Sequence, residues 1–471
     1  MDKKVRTRFA PSPTGFLHIG GLRAALFEYA YAKSLGGEFV LRIEDTDRNR
    51  FVPGSTEKLI ETLKIFGLNW DEGPEVGGPF APYVQSERLS SGVYKKIAEK
   101  LVDEGKAYYC FCDKKTKDEI KLEHESHKIE VRDDCRNLTK DEIKKHLENG
   151  ETPAIRLKVP DDGIISYHDF ILDKDIVWNC KDIDEAMLFK SDGYPTYHLG
   201  VVADDVEMQI THILRGFEWM PSTPIHLLLF KYLNYEAPKI GHFSLILDPE
   251  GGKLSKRKRN VSCEDFLANG YLPEAILNYI MLQGWAPKDN NEIFSLPEYV
   301  ANFQKGNLQI ANAVFNPDKL DWFNGYYIRK LSDEDLNSKF QIVNSDFASL
   351  RFTKQIEITK LIKDRIVKLT DLNTFAKFFW ETPEVEAALF GENYKEHLST
   401  AISVLESLDD WKLESLNEKL MEEIKRKEYK VGDFFMTLRI AITGSKFTPP
   451  INDSIIILGK EETIKRLKSV S

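Results

Sequence analysis

Apolar and polar positions along this chain recur with two periods, and the switches between them mark out its elements. Val5 to Phe9 alternates as a short strand. Pro11, Ser12, Pro13 and Gly15 then make a stiff turn, and Gly20 and Gly21 open an apolar-periodic stretch, Leu22 to Leu35, that predicts a helix. GEFVLRIE reads as a second strand, and STEKLIETLKIF and SGVYKKIAEKLVDEG read as helices. Strands and helices in alternation predict an α/β fold with a parallel sheet. Residues 107–185 break that pattern. They are rich in charge, hold β-like pieces such as AIRLKVP, and are expected to be an α+β insertion between the halves of a nucleotide-binding fold. AMLFK is expected to resume the sheet, with THILRG as a strand, PIHLLLFKYL as a helix and HFSLIL as a further strand. Beyond residue 265 the pattern turns helical, with little strand signal after SLPEYV, and LRIAITGS to LGKEETIKRL reads as a small compact unit.

Length changes the picture only by suggesting several domains: 471 residues predict roughly three. A hydrophobic fraction of 42% beside 30% charged residues leaves ample material for a core. No stretch reaches the ~20 apolar residues of a membrane span. MDKKVRTRF enters the first strand at once, which predicts no leader peptide. Five cysteines, an odd number, predict no disulfide framework and fit a reducing cytoplasm. The net charge of −10 speaks against a nucleic-acid partner for the chain as a whole. Basic residues nevertheless gather at 253–259, 351–368 and 425–430, and a local basic surface is all that such a partner needs.

Two segments carry chemistry. The strand, glycine-bearing turn and helix start at RTRFAPSPTGFLHIGG form an anion cradle, because unpaired N–H groups point outward at a helix N-terminus. His18 lies inside that turn, and no Walker lysine follows, so the phosphate chemistry differs from that of a P-loop. In GGKLSKRKR, at 251–259, two glycines precede five basic residues in seven. Such a loop can close over a polyphosphate and neutralise charge developing at a transferring phosphorus.

HIGG at 18–21 resembles the HIGH signature, and KLSKR at 253–257 the KMSKS signature, of class I aminoacyl-tRNA synthetases. With RFAPSPTGFLHIGG, RIEDTD, SDGYPTYHL and ITHILRG, the resemblance narrows to the glutamyl-tRNA synthetase family in its bacterial and organellar form, from residue 5 to the C-terminus. It implies a Rossmann-type catalytic domain in two halves, 1–106 and 186–260, around an acceptor-end insertion at 107–185. A stem-contact domain at 261–320 and an all-helical anticodon-binding domain at 321–471 would follow. It also implies ATP-dependent activation of L-glutamate and its transfer to the terminal adenosine of tRNA(Glu), with Mg2+ accompanying ATP, in a monomeric cytoplasmic enzyme. Lys256 would be the chief mobile-loop cation and Lys253 the second, with His18 facing the phosphates from the other side. Gly20, Ser255 and Arg257 would complete the ATP site. Arg8, Ala10, Ser12, Tyr197 and Arg215 would hold glutamate, with Glu44 receiving its ammonium. Gly21 stands where the signature has a second histidine, which puts that motif's side-chain work on His18.

Glu218 and Trp219 are expected near ATP and the acceptor end. Lys360, Lys363, Arg365 and Lys368 are expected on one helix, with Arg365 where the family places anticodon-side contacts. Cys110, Cys112 and Cys135 follow the C-x-C…C layout that binds structural zinc in part of the family. The positions of the fourth ligand there are Asn137 and Val131 in this chain, so no metal site is assigned, with His124 and His127 as alternative ligands. Five other readings stand beside this one: a form that also charges tRNA(Gln), a glutaminyl-tRNA synthetase, a catalytically silent tRNA-binding module, a small-molecule nucleotidyltransferase, and a truncated paralogue that glutamylates a modified base in tRNA and lacks the anticodon domain expected here. The helical tail speaks against the second. The conjunction of His18, Lys253, Lys256 and Arg8 speaks against the third, and the chain's length against the fourth.

Overall fold

A computed structural model describes residues 4–48, 50–112, 134–254, 261–304 and 307–470. The chain forms two compact units, Met1–Asp265 with Leu277–Asn316, and Phe266–Ile276 with Pro317–Ser471.

In the first unit the strand Arg6–Phe9 pairs parallel with Glu38–Leu41, and the helix Ile19–Ser34 makes the crossover. Gly37 closes the turn between that helix and the second strand, where a Cβ would collide with the Val5 carbonyl. A second parallel pair, His212–Gly216 with Lys239–Phe243, is joined through the helix Thr223–Tyr232. The two pairs are stitched together at their N-terminal ends: Thr211 N–H donates to the Arg6 carbonyl at 3.0 Å, and Arg6 N–H donates to Thr211 Oγ1 at 2.8 Å. All four residues of Arg6–Phe9 are buried, so its two arginines must find acids inside the fold. Arg6 reaches Glu72 at 2.8 Å, and Arg8 reaches Asp205 at 3.1 Å. The helix Ile19–Ser34 buries Leu22, Ala25, Leu26, Phe27 and Ala30 on more than one side, as an element enclosed by its surroundings does. The parallel α/β reading of this half is therefore correct.

Residues 107–189 hold a further sheet. Ala107–Cys110, Ala154–Leu157 and Met187–Phe189 pair antiparallel with Ala154–Leu157 in the middle. Met187–Phe189 lies in AMLFK, which was expected to resume the parallel sheet and does not. A three-residue apolar strand carries no mark of its partner's direction, and here Ile155 pairs with Phe189. An antiparallel hairpin, Ile164–Asp169 with Lys174–Asn179, and the exposed helix Lys140–Glu148 complete the segment. That helix starts in a capping box formed by Thr139 and Glu142. A core of Tyr94, Leu101, Leu157, Leu188, Leu199, Val202 and Leu229 binds the insertion to helices of the α/β part, and each such buried side chain is worth ~1.5–3 kcal/mol. SLPEYV begins a helix, Leu296–Asn302, because Ser295 and Glu298 cap its start reciprocally.

The second unit is helical throughout its described residues, from Pro317–Lys330 to Lys460–Ser469, as the loss of strand periodicity predicts. The basic run at 360–368 departs from expectation. The helix Phe352–Ile362 carries Lys360 but ends before Lys363, Arg365 and Lys368. Asn324 Nδ2 donates to the carbonyls of Val367 (2.6 Å) and Gly270 (3.2 Å), while Asp371 accepts the N–H groups of Val367 and Lys368. These contacts replace the helical ones. Among the described residues no helix is long and apolar enough to cross a membrane.

Candidate active site

His18 is the N-cap of the helix Ile19–Ser34, and its Nδ1 accepts the Gly20 N–H at 3.0 Å. In the neutral ring this bond puts the proton on Nε2, making that nitrogen the donor. Gly20 and Gly21 are both crowded. A Cβ would stand 3.3 Å from His18 Nδ1 at the first and 2.9 Å from Leu17 Cδ1 at the second. Lys253 lies on a hairpin in which Asp248 N–H donates to the Gly252 carbonyl and Leu254 N–H to that of Ile246. Its ammonium meets Glu218 at 2.7 Å. Ser255, Lys256 and Arg257 lie outside the described residues. The chain resumes at Val261, whose carbonyl accepts the Ile19 N–H at 3.1 Å, and Ser262 bridges to His18. Val261 and Ser262 therefore lie beside the helix start.

A buried set of charges surrounds the end of the first strand. The Phe9 and Pro11 carbonyls accept the N–H groups of Arg42 and Glu44, each at 3.0 Å, so the RFAPS segment with Ala10 and exposed Ser12 runs alongside RIED. Arg42 is wholly buried and bridges acids, at 2.9 Å to Glu44 and 2.7 Å to Asp205. Arg8 shares Asp205 with it and lies 3.4 Å from Glu28. Burial pushes Glu44 up to about 7 against the pull of Arg42 and Arg8. Burial acts on Asp205 in the same sense, but Arg8 and Arg42 outweigh it and hold that carboxylate below its usual range.

Arg215 is held differently. Its Nε donates to His242 Nε2 at 3.0 Å, its Nη2 to Thr223 Oγ1 at 2.8 Å, and its Nη1 meets His226 Nδ1 at 3.3 Å. Tyr197 begins the helix that also carries Asp204 and Asp205, and its ring packs tilted against Trp219 and edge-on against His226, with centroids 5.0 and 5.4 Å away. Burial raises the Tyr197 hydroxyl, and Arg215, Glu44, Arg8 and Asp205 all act on it electrostatically. Four of the predicted glutamate-site residues thus converge on one place. Two guanidiniums and a carboxylate around a phenol complement a ligand bearing carboxylates and an ammonium.

A family model described as "tRNA synthetases class I (E and Q), catalytic domain" matches residues 4–322, and one described as "Anticodon binding domain" matches 330–471. The glutamate–tRNA ligase of Treponema denticola is 40% identical, the alignment covering 99% of this chain and 98% of that protein. That of Clostridium tetani is 41% identical over 99% and 97%. The crystal structure of a glutamate tRNA ligase from Elizabethkingia meningosepticum, in complex with its amino acid, is similar with a TM-score of 0.85 and 37% identity, covering 99% of both chains. The chain belongs to the glutamyl-tRNA synthetase family.

Four residues of this buried set were not expected from the sequence: Arg42, Asp205, His226 and His242. Two of them, Asp205 and His226, had a local signal. Asp204 and Asp205 interrupt the apolar helix LGVVADDV, and His226 interrupts PIHLLLF. A polar residue inside an apolar run implies a buried partner, although not which one. The cysteines of the insertion do converge, with the Sγ atoms of Cys110, Cys112 and Cys135 within 4.8 Å of one another. Three thiols supply three of the four ligands of a closed zinc site, and Asn137 at the family's fourth position is no zinc ligand. His124, His127 and Val131 lie outside the described residues. Arg365 is exposed and lines an open cavity of about 500 Å³ with Arg439, Lys446, Phe375 and Phe447. Lys363 and Lys368 are instead engaged by Asp333 at 2.9 Å and Asp321 at 3.3 Å.

Proposed function

We propose that Arg8, Ala10, Ser12, Glu44, Tyr197 and Arg215 hold L-glutamate, and that His18, Gly20, Lys253, Ser255, Lys256 and Arg257 hold ATP, in the reaction of a glutamate–tRNA ligase. The observation that carries this reading is one buried set of charges in which Arg8 and Arg42 share Asp205, Arg42 meets Glu44, and Tyr197 and Arg215 both lie against His226. The α-carboxylate of glutamate attacks the α-phosphorus of ATP, forming glutamyl-adenylate as pyrophosphate leaves. A ribose hydroxyl of the terminal adenosine of tRNA(Glu) then attacks the acyl carbon, and AMP leaves. Neither step needs a covalent enzyme intermediate, so the protein contributes position and charge. The His18 Nε2–H and the loop cations complement phosphate oxygens, and Mg2+ accompanying ATP would supply further charge screening.

Residues 1–106 and 186–260 are assigned to catalysis, 107–185 to the acceptor end, 261–320 to the tRNA stem and 321–471 to the anticodon. The cavity at Arg365 supports the last of these. Among the described residues the buried Arg439 Nε has no hydrogen-bond partner, burial and the neighbouring Arg365 hold the Arg439 pKa down, and Phe447 is 85% exposed. Uncompensated cations beside an exposed ring suit an RNA phosphate and base. A monomer in a reducing cytoplasm is proposed, in keeping with five cysteines of which none forms a disulfide. Charging of tRNA(Gln) besides tRNA(Glu) is a matter of contacts at the anticodon surface.

The role of Glu44 has a pH signature. Its carboxyl titrates at about 7 and must be ionised to receive an ammonium, so kcat/KM for glutamate is expected to fall as pH drops below that value. The linkage to stability has the opposite sign. A carboxyl with a raised folded-state pKa costs stability when it ionises, so the fold gains as pH falls from above 7 toward the unfolded-state value. Glu44→Gln should flatten the activity profile between pH 6 and 8. An unchanged profile in that variant would remove Glu44 from the ammonium site.

A further inference from the structure

Arg215 differs from the other buried arginines of the site in what holds it. Arg8 and Arg42 are held by carboxylates, those of Asp205, Glu28 and Glu44. Among the described residues Arg215 has no carboxylate at ion-pair distance, and its three hydrogen-bond partners, His242, His226 and Thr223, are all uncharged acceptors. A guanidinium cannot accept a hydrogen bond, so both imidazoles must present a lone pair to it. On His242 the lone pair is on Nε2, which leaves the proton on Nδ1, 2.7 Å from Asp169 Oδ2. Asp169 is fixed in turn by the N–H groups of Ile171 and Leu172 and by the Tyr167 hydroxyl. On His226 the lone pair is on Nδ1, so Nε2 carries the proton and meets His198 Nδ1 at 3.2 Å. Burial holds all three imidazoles toward their neutral forms, His198 at about 4.

We infer that His226 and His242 are specificity-determining positioning residues: they orient the Arg215 guanidinium through neutral acceptors, so that its charge stays uncompensated until the side-chain carboxylate of glutamate arrives. The inference rests on the assignment of Arg215 to glutamate. Three of the five N–H groups of Arg215 are taken up by His242, His226 and Thr223. One N–H remains on each terminal nitrogen, the pair that a carboxylate accepts and an amide can satisfy only by half. An acid in place of either histidine would fix the same geometry and cancel the charge. The site would then lose its preference for an anionic side chain over the neutral amide of glutamine.

The test compares isosteric replacements in the full-length protein, with glutamate and glutamine each charged onto a tRNA(Glu) transcript. Asn at 226 reproduces the Nδ1 acceptor without charge, and Asp at 226 reproduces it with charge. His226→Asn is expected to keep the glutamate KM within about threefold, while His226→Asp raises it about 10- to 100-fold and narrows the ratio of glutamate to glutamine charging by a similar factor. The KM for ATP should stay unchanged in both. Equal effects of His226→Asn and His226→Asp would overturn the proposal, because a packing role cannot tell the two apart. Should His226→Asp fail to fold, His242→Gln against His242→Glu poses the same question at the other acceptor. Arg215→Ala serves as reference: if its glutamate KM is normal, the assignment of Arg215 to glutamate fails, and if it is raised while the paired variants match each other, only the present inference does.

Discussion

Arg215→Ala is expected to raise the KM for glutamate by about 10²- to 10³-fold while leaving that for ATP nearly unchanged. The wild-type guanidinium is buried and already oriented by His242, His226 and Thr223, so no side-chain ordering remains to oppose its contact with a carboxylate. Removing one partner of a buried, hydrogen-bonded charge pair costs about 3–4 kcal/mol, and each 1.4 kcal/mol is a factor of ten. Lysine should not rescue the variant. A point charge on a flexible stem has neither the Nε donor that meets His242 nor the planar fork that meets a carboxylate. Steady-state kinetics with glutamate and ATP varied in turn would check this, and near-normal glutamate KM would remove Arg215 from the pocket.

Arg42→Met is expected to destabilise the first unit by about 3–5 kcal/mol, the cost of leaving buried acids without their cation. Arg42 has no exposed surface and lies within 4.0 Å of Glu44, Asp204 and Asp205. Methionine fills a similar volume, so the loss is electrostatic rather than a cavity. The effect should depend on pH with a definite sign. Unpaired buried carboxylates have raised folded-state pKa values, so the penalty is fully present at pH 8 and shrinks as pH falls and they take up protons. Urea denaturation of both proteins at pH 8 and pH 5 would show it. Equal midpoints at pH 8 would mean that the acids find other partners.

Much of this architecture was legible in the sequence because it rests on local patterns. The period-2 run at Val5–Phe9, the helix start at Gly20 and the helical tail each declare themselves within a dozen residues. Arg8, Glu44, Tyr197 and Arg215 could be singled out in the sequence because they sit in motifs. The network behind them could not. His242 lies within the strand Lys239–Phe243, Asp169 ends the first strand of a hairpin, and His226 lies inside a helix, so only tertiary structure brings them together. The direction of Met187–Phe189 and the end of the helix at Ile362 failed for the same reason. In the first the partner strand decides, and in the second the amide of Asn324 and the carboxylate of Asp371 do.

Aminoacylation by the purified chain tests the central claim most directly. Labelled glutamate and labelled glutamine would be offered in parallel to separate transcripts of tRNA(Glu) and tRNA(Gln). Glutamate should be esterified to tRNA(Glu) in an ATP-dependent manner, and glutamine to neither transcript; glutamate on tRNA(Gln) as well would mark the non-discriminating form. Glutamine charged in place of glutamate, or no charging at all by a chain that still binds tRNA, would contradict the account.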